Sequence, residues 1–174
     1  KFYGPKGIGA LYIKNGLTVM PIMFGAGHEK GVRPGTENVI GIAGLGKACE
    51  IAHKSMNERY KEALELRERL YDLIKKSLDL RLNGHSKLRL PNTLNISIKN
   101  IIGEKLVSAL KDKIAFSAGS ACHAGICKPS AVLKAMGLSD EYALSAIRLS
   151  VGKDNSMDQI EEASEIIIEY VKTH

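Results

Sequence analysis

The sequence predicts an α/β chain. Three observations point to it: short apolar runs with period-two alternation, intervening stretches with helical periodicity, and glycine-rich loops between them. At 174 residues, with 44% apolar side chains, the chain can bury a sizeable core. No run of 18 uninterrupted apolar residues occurs, so no membrane span is expected. The chain opens Lys-Phe-Tyr-Gly-Pro, without a methionine or a secretory signal, and reads as a segment of something longer.

From the N-terminus, Gly7–Ile13 and Leu17–Met23 flank Asn15-Gly16, the pattern of a β-hairpin. Residues 24–37 hold four glycines and a proline and form a loop with special backbone geometry. A helix is expected from about Asn38 to Ala52, with Ile42, Leu45, Cys49 and Ala52 on one side. A second, over about 56–78, carries Tyr60, Leu64, Leu70 and Ile74 on its apolar side. Residues 80–99 read as short strands ending in the alternating Leu94-Asn-Ile-Ser-Ile98. A helix over Gly103–Lys111 and a short strand over Lys113–Phe116 follow.

Ser117–Lys128 is a loop of small residues. Pro129 opens a short helix that Gly137 caps, and Ser139-Asp-Glu starts another. Ala146-Ile-Arg-Leu-Ser-Val151 alternates as a strand. Ser156-Met-Asp-Gln159 is a capping box for a last helix that buries Ile160, Ala163, Ile167 and Val171. The domains expected are 1–52, a connecting helix over 53–78, and a smaller unit over 79–174.

Composition narrows the chemistry. The net charge of +6 is spread along helices beside glutamates, and no basic block is interleaved with aromatics. Solvated helix faces account for it, and no nucleic-acid partner is expected. Three cysteines, Cys49, Cys122 and Cys127, are too few and too odd in number for a disulfide scaffold and point to a reducing, cytoplasmic setting, or a mitochondrial one in a eukaryote.

Ser117-Ala-Gly-Ser-Ala-Cys-His-Ala-Gly125 has no large apolar side chain in nine residues. A cysteine there is accessible, with His123 beside it to stabilise a thiolate; the alternative is a small buried filler. Cys122, His123 and Cys127 lack the further ligands that a metal site needs, so no metal is expected. Arg148 has small neighbours and room to grip a carboxylate with both arms of its guanidinium, or it is an ordinary surface arginine. Arg33-Pro-Gly-Thr36 offers backbone amides and a hydroxyl to a phosphate, or it is a plain turn.

Four stretches, in this order, resemble the class V aminotransferase-fold cysteine desulfurases of the long-loop subgroup, which are close to the selenocysteine lyases. They are Lys1-Phe-Tyr-Gly-Pro-Lys-Gly-Ile-Gly-Ala-Leu-Tyr12, Gly27-His-Glu-Lys-Gly-Val-Arg-Pro-Gly-Thr36, Ser117-Ala-Gly-Ser-Ala-Cys122 and Ser145-Ala-Ile-Arg-Leu-Ser150. The resemblance runs the whole length of the chain. It implies the C-terminal half of a fold-type I transferase dependent on pyridoxal 5′-phosphate: the end of the large domain, then a small α+β domain. Lys1 would form the Schiff base with the cofactor, and Thr36 would reach the cofactor phosphate of a homodimer partner. Arg148 would hold the substrate carboxylate. Cys122 would take sulfur from L-cysteine, releasing L-alanine, and pass the persulfide to an acceptor protein such as an iron–sulfur scaffold, acting there as a transient cluster ligand.

His123 after the cysteine is similar to selenocysteine lyases, and the spacing from Cys122 to Pro129 to desulfurases. L-selenocysteine is therefore the alternative substrate, and the roles of His123 and Cys127 stay open. A non-catalytic sulfur-carrier module is the alternative of another class. The histidine, aspartate and phosphate-binding groups of the family's large domain lie upstream of Lys1, so the missing N-terminal half of the enzyme is an expected partner and the segment alone is expected to be inactive.

Overall fold

A computed structural model describes residues 2–119 and 128–174; Lys1 and residues 120–127, with Cys122, His123 and Cys127, lie outside the described residues. The chain divides into two units, one ending at Met56 and one running from Asn57 to His174. The division falls inside a single helix, α1 (Val39–Ser77). Two helices meeting near residue 54 were expected, but the junction contains neither glycine nor proline. With no helix-stopping residue the helix continues unbroken, and the Ser55 hydroxyl donates back to the Ile51 carbonyl at 2.8 Å without interrupting it.

In the first unit the expected hairpin is absent among the described residues. The turn at Asn15-Gly16 does form, with Gly16 at φ +86° and Leu17 N–H donating to the Lys14 carbonyl at 3.1 Å. No strand ladder flanks it. Its side chains have nothing to pack on within the unit: Tyr12 is 87% and Ile22 93% exposed. An isolated two-stranded ribbon with no covered face is marginal in water, so the turn signal does not propagate into strands. Cys49 and Tyr60, expected on apolar helix sides, are also exposed. Within this unit α1 packs on the chain start through its small residues. A Cβ on Gly44 would come within 2.8 Å of Pro5, and Gly4 sits 3.5 Å from the Ala48 methyl by the same measure.

The second unit is built on a four-stranded antiparallel sheet. Its strands are β1 (Leu80–Leu82), β2 (Thr93–Ile98), β3 (Ser117–Ala118) and β4 (Ala146–Ser150), in the order β1-β2-β4-β3. Period-two alternation sends Leu94, Ile96 and Ile98 of β2 and Ile147 and Leu149 of β4 to one face. That face is covered by Leu70 and Ile74 of α1, Leu106 and Leu110 of α2 (Gly103–Leu110), and Ile160 and Ile167 of the C-terminal helix (Met157–Thr173). Each fully buried aliphatic side chain here contributes roughly 1.5–3 kcal/mol relative to exposure. Arg67, 4% exposed on the same helix as Leu70, donates to the Leu90 carbonyl at 2.9 Å and pairs with Glu68, which satisfies a charge burial would otherwise penalise.

The opposite face is polar and only partly covered. The short helices α3 (Ala131–Ala135) and α4 (Asp140–Leu144) lie over it, with Leu133, Leu138 and Ala143 clustered on Ala146. The last helix, α5, starts at Ser156 with the expected reciprocal cap: Ser156 Oγ accepts from Gln159 N–H, and Gln159 Oε1 accepts from Ser156 N–H. Such a cap is worth about 1 kcal/mol. Gly137, at φ +84°, ends α3 as expected.

Two local expectations shift. The strand expected over Lys113–Phe116 is instead Ser117–Ala118, because the chain is still closing α2: Lys113 and Ile114 N–H both donate to the Leu110 carbonyl at 2.9 Å. Helix α3 begins at Ala131, not at Pro129. Ser130 is its cap and accepts from Leu133 N–H, a role proline has no side-chain oxygen to fill.

The join between α2 and β4 has no spare volume. A Cβ on Gly103 would stand 2.4 Å from the Ala146 carbonyl oxygen. Backbone cannot give way as a flexible side chain can, so Gly103→Ala is expected to destabilise the protein by at least about 2 kcal/mol. A lowered urea midpoint at unchanged slope is the expected reading, and an unchanged midpoint would show that α2 shifts freely.

Candidate functional site

Arg148 lies at the centre of β4, between two neighbours. In the ladder it stands opposite Asn95 of β2 on one side and opposite Ser117 of β3 on the other. Directly opposed residues of an antiparallel pair share a face, with Cβ atoms about 4.5–5.5 Å apart. Arg148 is exposed, whereas Ile147 and Leu149 on either side of it are buried in the core. The strand thus anchors itself on one face and presents the guanidinium on the other. Ala146 and Ser150 keep that face low, as the sequence suggested.

Ser117 also begins the segment that leads to Cys122. Its pairing with Arg148 ties that segment to the strand, and Gly119 N–H extends the tie by donating to the Ala146 carbonyl at 2.8 Å. Gly119 is held close: a Cβ there would come within 2.9 Å of the Ala146 methyl. In the sequence four residues stand between Ser117 and Cys122.

In the first unit, the loop before α1 folds on Arg33. Its Nη1 donates to the carbonyls of Gly35, at 3.0 Å, and Thr36, at 3.2 Å. Gly35 adopts φ +103°, open to glycine and costly to other residues. Earlier in the same loop, a Cβ on Gly25 would meet Pro34 at 2.8 Å. These contacts give the turn a defined shape and leave Thr36 exposed on it. An exposed hydroxyl on a turn whose carbonyls are already engaged by Arg33 is chemically suited to an anionic group such as a phosphate.

The four predicted site residues thus divide. Arg148 and Thr36 are placed, in different units. Lys1 and Cys122 lie outside the described residues.

The sequence pattern of the family described as aminotransferase class-V matches residues 1–162. The chain belongs to this family. Its members include pyridoxal-phosphate enzymes, and the four stretches that carry the resemblance all fall within the matched residues. Among curated relatives, a cysteine desulfurase IscS of Vibrio cholerae is 45% identical over 169 residues, 96% of this chain and 42% of that protein. A cysteine desulfurase IscS of Methanosarcina thermophila is 41% identical over 173 residues, 99% of this chain and 43% of that protein. A solved NifS-like protein superposes with a TM-score of 0.88 at 33% identity, covering 99% of this chain and 44% of its own. The NifS-like protein from Rickettsia africae gives 0.78 at 32% identity, over 90% of this chain and 41% of its own. The chain therefore spans less than half the length of these relatives. The expected fold class stands: a mixed α/β structure matching the C-terminal part of family members.

Sequence reading missed Asn95 and Ser117 as neighbours of Arg148. Alternation in Thr93–Ile98 does put Asn95 and Ser97 on one face, but nothing local says which residue of another strand stands opposite them.

Proposed function

We propose that the protein containing this chain is a cysteine desulfurase, which removes sulfur from L-cysteine, releases L-alanine and carries the sulfur as a persulfide on Cys122. The observation that supports it most directly is the ladder of β3 on β4. It sets Arg148, whose guanidinium is chemically suited to a carboxylate, opposite Ser117, where the segment leading in sequence to Cys122 begins. The identities of 41–45% to cysteine desulfurases support the same reading.

In this reading pyridoxal 5′-phosphate, when bound, supplies an electron sink for loss of the substrate α-proton. Lys1 anchors it through its amine, and Thr36 gives a hydroxyl to its phosphate in the other subunit of a homodimer. Lys1 Nζ would also take up the α-proton. Arg148 fixes the substrate by its carboxylate, a paired charge-assisted contact that restrains rotation as well as binding. Cys122 Sγ, as thiolate, attacks the substrate sulfur. The new S–S bond forms as the Cβ–S bond breaks, the carbon fragment takes a proton at Cβ and regains the α-proton from Lys1 Nζ to become alanine, and Cys122 keeps the persulfide for an acceptor protein.

The test is an absorbance spectrum of the full-length protein, before and after L-cysteine, with alanine measured in parallel. A cofactor band that shifts on addition, together with alanine release, is the expected result. No band after reconstitution with pyridoxal phosphate would overturn the enzymatic reading. Turnover of L-selenocysteine at a far higher kcat/KM than L-cysteine would reassign the substrate.

A further inference from the structure

A directed chain of hydrogen bonds crosses the polar face of the sheet and ends beside Arg148. It begins at the Tyr142 carbonyl in α4, an oxygen that can only accept. Ser97 Oγ lies 2.6 Å from it and so must give it the hydroxyl proton. That proton being spent, Ser97 Oγ can only accept from Asn83, 2.8 Å away. The Asn83 side chain must therefore turn its amide nitrogen, not its oxygen, towards Ser97. The same nitrogen lies 2.8 Å from the Asn95 side chain, which must then offer its oxygen. The identity of every polar atom in the row follows from the carbonyl at its origin, by donor and acceptor capacity alone.

The arrangement is held firmly. Asn83 is 3% exposed and Ser97 fully buried. Asn83 N–H also donates to the Asn95 carbonyl at 3.0 Å, which extends the β1–β2 pairing by one residue. The Asn83 side-chain oxygen is buried without a partner among the described residues, as expected if the orientation is imposed by Ser97 and not chosen to suit Asn83 itself.

The consequence falls on Asn95. Its oxygen is engaged by Asn83 on the β1 side, which turns its amide nitrogen away from Asn83. No described residue accepts from that nitrogen. On its β4 side, directly opposite in the ladder, stands Arg148. A guanidinium has donors only, so Arg148 cannot be the missing acceptor. Two donor groups, one charged and one neutral, thus stand opposite each other on one face of the sheet, with no acceptor for either among the described residues. What completes such a pair is an anion with two or more oxygens.

We propose that Asn95 is a second donor to the α-carboxylate of the amino-acid substrate, working beside Arg148 and oriented by Asn83. This rests on the reading of Arg148 as the carboxylate grip. Arg148 supplies the charge. Asn95, fixed by the row behind it, supplies direction: it favours a planar carboxylate on the β2 side of the guanidinium and disfavours substrates that lack one.

The experiment compares L-cysteine with cysteamine, the same molecule without its carboxylate. Each is titrated into the cofactor-loaded full-length protein and its half-saturation read from the cofactor absorbance. Asn95→Ala is expected to weaken L-cysteine about tenfold, the usual worth of one hydrogen bond to a charged group, and to leave cysteamine within about twofold. Asn95→Asp keeps the oxygen that Asn83 needs but replaces the donor with a second carboxylate. It is expected to weaken L-cysteine more than the alanine variant does, with the melting temperature retained and cysteamine spared.

Equal losses for both ligands, or no loss for either, would overturn the proposal; a purely structural asparagine predicts the first. Arg148→Ala separates the two levels of the argument. If that variant keeps its preference for L-cysteine, the carboxylate reading of Arg148 has itself failed. If it loses the preference while both Asn95 variants keep it, only the role of Asn95 falls.

Discussion

Cys122→Ser in the full-length protein is expected to abolish persulfide formation and alanine release while leaving the cofactor spectrum intact. A thiol reaches its reactive anion within a unit or two of neutral pH. A serine hydroxyl does not, and its oxygen cannot carry the transferred sulfur as a persulfide. Loss of a covalent nucleophile costs on the order of 10⁴-fold or more in turnover in other enzymes, and here no second route to an enzyme persulfide is proposed. The check is twofold: alanine by coupled assay, and the persulfide by a thiol-blocking label and mass. The reaction depends on the cysteine only after substrate has bound, so the absorbance change on adding L-cysteine should survive. Alanine release at the parental rate would move the nucleophile elsewhere, with Cys127 the next residue to replace. Disappearance of the cofactor band would instead give Cys122 a part in holding the cofactor.

Arg148→Ala carries the second largest expected effect. A guanidinium that grips a carboxylate through two charge-assisted hydrogen bonds contributes about 1.5–3 kcal/mol for each, so KM for L-cysteine should rise by at least about 10²-fold. The side chain is exposed and its backbone is held by the ladder to Asn95 and Ser117, so the truncation leaves the core untouched. The melting temperature should therefore stay within a degree or two. Arg148→Lys keeps the charge but not the planar fork and is expected to recover only part of the loss. A KM unchanged in the alanine variant would remove Arg148 from the substrate site.

The two units differ in how much of them could be read in advance. In the second unit most local signals agree with the final structure, because each element packs against another in the same unit; the exceptions are the strand expected over Lys113–Phe116, the helix start expected at Pro129 and the exposed Tyr60. The Ser156–Gln159 capping box forms both of its hydrogen bonds, Gly137 ends α3 at positive φ, and β2 and β4 bury the side chains that alternation assigned to the core. In the first unit the hairpin pattern around Asn15-Gly16 yields the turn and no strands, because nothing within the unit covers the flanking apolar runs. The unbroken α1 is a subtler case. Two amphipathic stretches were legible, but their junction lacked any residue able to stop a helix, and Ser55 closed its own hydrogen bond within it.

By itself the sequence determined the family, through four stretches in a fixed order, and with it the residue types suited to the proposed chemistry: the thiol of Cys122, the amine of Lys1, the hydroxyl of Thr36 and the guanidinium of Arg148. Chemical type is a local property and needs no partner to be read. Only the tertiary structure decided which side chains stand together. Asn95 and Arg148 are 53 positions apart, and Ser117 lies 31 before Arg148, yet the register of three strands makes them neighbours in one row. Strand register arises from hydrogen bonds between segments distant in sequence and from core packing on the opposite face, where Ile96 meets Ile147. Alternation tells which face a residue takes. The partner strand decides what it stands beside.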